Sequence, residues 1–296
     1  MRHLQSRRTV SAFVRPHTLG GMAVDLARHA FETLPELRVA ETTKRVRATV
    51  DGRAVVDSRR AMLVWEPHRV VPLYAVPADD IDAELVPAEP AEPPVNDPYV
   101  QMPNGTRILP PGRFGLHTTD GQSLSLRAGG DERHGVAYRL ADSDLPGYVV
   151  LDFDAFDEWL EEEEQIVGHP RDPFKRIDVR RSLRHVLVEI DGVVVAESTR
   201  PRLLFETHLP VRMYLPPDDV RLDLLAHSDS RSVCAYKGEA AYWSIERAGA
   251  ATDVAWSYPH PFSDAVEVGD MICFFDEHVD VTVDGEPRQR PRTPWS

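Results

Sequence analysis

A thiol, an amine and aromatic rings crowd into one short stretch, Cys234-Ala235-Tyr236-Lys237-Gly238 followed by Tyr242-Trp243. An ammonium close to a thiol favours the thiolate, the form that attacks electrophiles or ligates metals. Cys234 and Lys237 are therefore candidate catalytic residues. The same residues have a plainer meaning, because unpaired cysteines are often buried, and turn glycines, surface lysines and core aromatics are commonplace. Tyr236, Lys237, Trp243, Trp256 and Glu206 also fit a cleft that holds a small molecule against ring faces, with the lysine and the glutamate as polar anchors. Alternation along a strand sends Tyr242 and Trp243 to opposite faces, so at least one of them belongs to the core.

Other polar residues carry weaker signals. Glu206 and Glu66 each end an apolar run, and each is expected either to act as a general base or, more simply, to pair with Arg200 or Arg60. His208 and His68 stand in loop-like surroundings and are expected to face solvent. No second histidine or carboxylate has the i, i+4 or CxxC-type spacing of a zinc site, so neither a metal nor a cofactor is expected. Asp152-Phe153-Asp154 could share a magnesium ion, but the Gly-Ser turn that nucleotidyl transfer uses upstream is missing, and no GxxxxGK[ST] phosphate loop occurs.

These residues must be positioned by a scaffold that the chain writes twice. Arg45 to Gly52 aligns with His185 to Gly192, Asp51 falling on Asp191 at a separation of 140 residues. The match continues through Val55 and Val195, Ser58 and Ser198, Arg60 and Arg200, Leu63 and Leu203, Glu66 and Glu206, His68 and His208, Val71 and Val211, and Tyr74 and Tyr214. One residue of slippage near Pro77 then sets Asp79-Asp80-Ile81 on Asp218-Asp219-Val220. Further on, Asp120-Gly121 is expected to answer Lys237-Gly238, Val136-Ala137-Tyr138 to answer Val254-Ala255-Trp256, and Tyr148 to Phe153 to answer Asp270 to Phe275. The first copy then lacks counterparts of Cys234, Lys237 and Trp243 and shows His117, Asp120 and Leu126 near those places. A working site is expected in the second copy alone.

The local pattern is β. Alternating apolar residues run into Asp51-Gly52 and Asp191-Gly192 and out again, a strong hairpin signal because both turn positions tolerate positive φ. Short strands and frequent turns predict an all-β fold of two tandem domains, preceded by an amphipathic helix over residues 21–34, where Met22, Leu26, Ala30 and Leu34 keep helical spacing. The expected layout is an N-terminal extension 1–40, a first repeat 41–165, a linker 166–183, a second repeat 184–284 and a tail 285–296. Glu161 to Glu164 reads as a solvated face between the copies, and Gly168 to Phe174 as a stiff connection.

Composition bounds the partners. A length of 296 residues suits two domains, and a net charge of −14 opposes binding to a phosphate backbone, so no nucleic acid is expected. Two cysteines without CxxC spacing indicate a reducing compartment. Arg15 interrupts the apolar run after Arg7-Arg8 before a signal peptide can form, and no run approaches the ~20 apolar residues of a membrane span. A cytoplasmic protein with no membrane partner is expected.

Residues 45–284 resemble a tandem member of the bacterial family known as domain of unknown function 427, sometimes labelled nucleotidyltransferase-like. The resemblance rests on Asp191-Gly192, Ala196-Glu197-Ser198, Leu203-Leu204-Phe205-Glu206, Tyr214-Leu215-Pro216, Cys234 to Gly238 with Tyr242-Trp243, Ala255 to Pro259, and Gly168 to Phe174. It implies two β-tent-like domains, related in shape to zinc-stapled domains and to methionine sulfoxide reductases of the B type. It implies no activity.

Three functions fit these residues: binding of an unknown small molecule in a pocket of the second repeat, a thiol-dependent enzyme with Cys234 as nucleophile, and a scaffold that presents an acidic surface to a protein partner.

Overall fold

The computed structural model describes residues 23–291 and 293, apart from 103–104, 113 and 248–249. The chain is mainly β and falls into two groups of sheets of one plan. In the first group a seven-stranded antiparallel sheet runs Arg38–Glu41, Met62–Trp65, Leu73–Pro77, Tyr148–Leu151, Asp131–Leu140, Gly121–Ala128 and Glu84–Pro87. In the second the order is Ile177–Arg181, Arg202–Glu206, Arg212–Leu215, Ile272–Phe274, Ala250–Ser257, Gly238–Arg247 and Ala226–Cys234. A four-stranded sheet built on the Asp51-Gly52 or Asp191-Gly192 hairpin faces each large sheet.

The hairpins form where expected: Asp51 and Asp191 have φ near +50° and are followed by glycines of positive φ. Between the sheets lies the main core of each repeat, Val46, Val55, Leu63, Leu126 and Trp159 in one and Val186, Val195, Leu215, Phe274 and Val281 in the other. A smaller core covers the outer face of each large sheet. In the first repeat it holds Val64, Ala75, Tyr138 and Val150, and in the second Leu204, Tyr214, Trp256 and Cys273.

The outer strand of each large sheet extends the repeat beyond its expected start. Arg38–Glu41 lies partly in the segment read as extension, and Ile177–Arg181 lies in the segment read as linker; Val39 pairs with Val64 as Val179 pairs with Leu204. The helix is shorter than its periodicity suggests, Leu26–Glu32, capped by the Asp25 side chain. Residues 21 and 22 of the expected helix, the rest of the extension before them, and 292 and 294–296 of the tail lie outside the described residues.

The slip between the copies comes earlier than the sequence suggests. Met62 pairs with Ala75, whereas Arg202 pairs with Tyr214, so Ala75, not Tyr74, occupies the place of Tyr214. A one-residue shift turns a strand over. Tyr74 accordingly points into the core between the sheets, while Tyr214 joins the outer face. The extra residue is taken up in the loop after Glu66, before the strand begins. From Ala75 the register carries Val150 onto Cys273, Tyr138 onto Trp256 and Leu124 onto Trp243. Thr118-Thr119, rather than Asp120-Gly121, therefore answers Lys237-Gly238, and Tyr148 to Phe153 answers Met271 to Asp276.

Of Glu161 to Glu164, Glu162, Glu163 and Glu164 are exposed, as a solvated face requires, but Glu161 is not. Glu158–Glu161 and Glu164–Ile166 form a hairpin that completes the small sheet of the first repeat, as Asp280–Val283 and Glu286–Pro287 do in the second. The Glu161 side chain is buried, accepts a hydrogen bond from Tyr74 Oη at 2.7 Å and pairs with Lys44. Met213 and Val283 hold the corresponding places in the second repeat, both in its core. One repeat thus fills with a polar pair the space that the other fills with an apolar one. Glu161→Val is expected to cost about 1–3 kcal/mol by leaving the Tyr74 hydroxyl buried without a partner. Adding Tyr74→Met should recover most of that loss, as read by urea denaturation.

Candidate functional site

Three of the six residues singled out in the sequence meet at one end of the outer face of the second large sheet. Strand Arg202–Glu206 stops at Glu206, where Leu209 N closes a turn onto the Glu206 carbonyl and His208 takes φ +66°. Elsewhere in the same sheet, Ala226–Cys234 turns through Ala235-Tyr236-Lys237 into Gly238–Arg247, with Cys234 paired to Gly238. Gly238 has φ +95°, and a Cβ there would stand 3.0 Å from the His260 carbonyl, so this tight turn requires glycine. The turn aims Lys237 inward. Its Nζ donates to Glu206 Oε2 at 2.5 Å, and the turn, closed by the Cys234–Gly238 pairing, keeps the amine within electrostatic reach of the Cys234 sulfur.

Lys175 approaches the other carboxylate oxygen, with Nζ 3.2 Å from Glu206 Oε1. In the sequence Lys175 lies within residues 166–183, which read as a linker. The Glu206 side chain is 7% exposed and that of Lys237 10%, so the pair is well shielded from water. Burial favours the neutral form of Glu206, but the ammoniums of Lys237 and Lys175 outweigh it and hold the carboxyl below its ordinary range. Burial likewise lowers Lys237, yet Glu206 and Cys234 together raise it, which keeps the amine protonated. The expected pairing of Glu206 with Arg200 and of Glu66 with Arg60 does not occur. Those arginines bind Asp219 and Asp80, each of which also accepts from Ser198 or Ser58 at 2.7 Å. The two repeats share that surface clasp atom for atom.

Tyr236 shares the turn but serves the preceding segment. Its hydroxyl accepts from Asp172 N at 2.8 Å, and its ring packs against His169 and under Arg171. Trp256 lies on the same outer face, donating through Nε1 to Tyr214 Oη at 3.0 Å, with Phe275 against its ring. Trp243 is not brought to the cluster: it turns to the opposite face, against the inter-sheet core, beside His227. Tyr242 takes the outer face instead, stacked over Phe275. Tyr258, which the sequence reading passed over, is buried within electrostatic reach of Cys234 and Glu206.

The first repeat keeps the carboxylate and changes what holds it. Glu66 is fully buried and accepts from Thr118 N at 2.8 Å, Thr119 Oγ1 at 3.1 Å and His117 Nδ1 at 2.9 Å, while His117 stacks on Tyr138 at 3.5 Å. His68 meets the Arg107 carbonyl through Nδ1 and the Tyr99 ring edge, whereas the His208 ring lies beside Phe31. In Asp152-Phe153-Asp154 the first carboxylate caps its own turn, accepting from Asp154 N at 3.2 Å. Among the described residues no three His, Cys, Asp or Glu side chains gather to hold a metal ion, and no helix is long and apolar enough to cross a membrane.

Two surface hollows are seen elsewhere. One, of about 410 Å³, is lined by Gly115, Ser125 and His134, and another, of about 300 Å³, by His185, Ser198 and Arg200. Neither touches the six residues.

Residues 38–93 and 178–285, more than half of the chain, match the family model described as domain of unknown function DUF427, and labelled NTP_transf_9. No curated protein matches.

Replacing Glu206 by Gln should cost about 3–5 kcal/mol, because the buried Lys237 ammonium and the half-buried Lys175 lose their counter-charge. Glu206 is depressed in the folded state. Its contribution is therefore present above the unfolded carboxyl value of about 4.3 and lost as pH falls through the lower folded value. Urea denaturation from pH 7 to pH 3 should show a shallower acid loss for Glu206→Gln than for the parent.

Proposed function

The chain belongs to the DUF427 family, and we propose that its second repeat is a reactive-thiol domain in which Cys234 attacks the electrophilic atom of a small substrate. The observation that carries this reading is the ion-pair chain Lys237–Glu206–Lys175, set in the turn that Cys234 and Gly238 close. A nucleophile stands beside a charged group that a third group holds in place, the arrangement that activates cysteine nucleophiles generally. Lys237, held protonated, acts as a fixed charge beside the sulfur rather than as a base. Lys175, Glu206 and Lys237 carry a net charge of about +1, with Lys237 well shielded from water, and a negative sulfur, or negative charge developing on a substrate bound to it, would be favoured there. Cys234 is the member that solvent reaches: it is partly exposed, whereas Lys237, Tyr236 and Trp256 are 8% exposed or less.

The burial of Lys237, Tyr236 and Trp256 and the turning of Trp243 to the other face favour the thiol over the small-molecule pocket expected of the same residues. The substrate on this reading meets the sulfur at the surface.

Native protein treated with iodoacetamide at pH 7 and mapped by mass spectrometry is expected to carry the label on Cys234. The fully buried Cys273 serves as the unreactive internal control. Lys237→Met should slow labelling of Cys234 by roughly tenfold, while Lys237→Arg retains most of the rate. Two results would overturn the reading: a Cys234 that stays unlabelled in the native protein, or one that reacts equally fast in the Lys237→Met variant once its thermal transition has shown that variant to be folded.

A further inference from the structure

We propose that Cys234 and Lys237 form a reversible covalent switch, in which peroxide drives a sulfur–nitrogen bond between Sγ and Nζ. This rests on the reading of Cys234 as a reactive thiol and names how that site is regulated. The geometry selects the partner. Oxidised cysteine is ordinarily resolved by a second thiol, but Cys273 lies on Ile272–Phe274, separated from Ala226–Cys234 by Ala250–Ser257 and Gly238–Arg247. No disulfide joins the two thiols. Cys273 is also sealed in the outer core at 0% exposure. Lys237, by contrast, lies in the same tight turn as Cys234, next to the Gly238 that pairs with it, and Glu206 fixes its amine within electrostatic reach of the sulfur.

The chemistry balances with one equivalent of hydrogen peroxide. The sulfur attacks a peroxide oxygen, the O–O bond breaks, and Cys234 becomes a sulfenic acid with release of water. A sulfenic acid condenses with a neighbouring thiol or nitrogen. Here the Lys237 ammonium gives a proton to the S–OH oxygen, which leaves as a second water. The freed amine attacks sulfur, and Nζ passes its remaining surplus proton through Glu206 to solvent. The sum is thiol plus amine plus peroxide giving one S–N bond and two waters. An added thiol reverses it, forming a mixed disulfide and returning the amine. While the bond stands, the nucleophile is gone and Glu206 has lost one of its two cations, so oxidation turns the site off without consuming it.

The ring closes over four consecutive residues, which makes it readable. Trypsin normally cuts after Arg231, Lys237 and Arg247. Protein treated with hydrogen peroxide and then blocked with iodoacetamide should lose the cut at Lys237 and yield peptide 232–247 two hydrogens lighter than its uncut reduced form. Dithiothreitol should restore the cut. Lys237→Arg should give no such peptide and proceed to the sulfinic acid. Cys234 found as sulfinic acid with Lys237 still cut, or a bridged peptide that retains an extra oxygen, would overturn the switch. In either case iodoacetamide labelling of the reduced protein reports separately on the thiol. Rapid labelling without a bridge removes the switch alone, and a sulfur inert to both reagents removes both proposals.

Discussion

A carboxylate taken out of water at the end of a strand sets the terms for each repeat. Glu206 and Glu66 occupy the same place, and an ionised side chain there is tolerable only if donors surround it. Each repeat meets that demand by folding the same turn down onto the sheet. In the first, Thr118, Thr119 and His117 reach the carboxylate; in the second, Lys237 does so, joined by Lys175. The buried glutamate is thus less a catalytic feature in itself than the anchor that fixes the turn. Whatever chemistry the turn carries is positioned by that anchor: an imidazole stacked on Tyr138 in one copy, an amine and a thiol sharing one tight turn in the other.

Divergence after duplication follows the same logic of paired change. Tyr74 with Glu161 corresponds to Met213 with Val283, and a polar pair exchanged for an apolar one leaves neither repeat with an orphaned group. The clasp of Ser58, Arg60 and Asp80, repeated as Ser198, Arg200 and Asp219, has by contrast not diverged. It ties the end of a small-sheet strand to the 3-10 turn after the strand that begins at Leu73 or Arg212, a place where neither copy holds the site.

Much of this plan was legible in the letters. Asp-Gly hairpins and alternating apolar runs announce strands because their backbone demands are local, and the long register between the copies identifies the duplication. What could not be read is where a strand turns over. Tyr74 and Tyr214 look equivalent in a linear match, yet a residue gained in the preceding loop points them to opposite faces. Trp243 was lost from the cluster for a related reason: alternation says that it and Tyr242 part company, but not which of them faces out. Cys234 with Lys237 was visible through its spacing, and Glu206 through its recurrence. Lys175 was hidden because its role depends on a contact across 31 residues, in a segment that reads as a connection.

That connection is also a component. His169, Arg171 and Asp172 pack on Tyr236, and Lys175 reaches Glu206, before the strand Ile177–Arg181 adds itself to the sheet edge. A second repeat excised at its hairpin would therefore emerge without its outermost strand and with its central carboxylate facing one cation instead of two. By its contacts the second repeat reaches back to His169, so the piece that joins the halves belongs in substance to the later one.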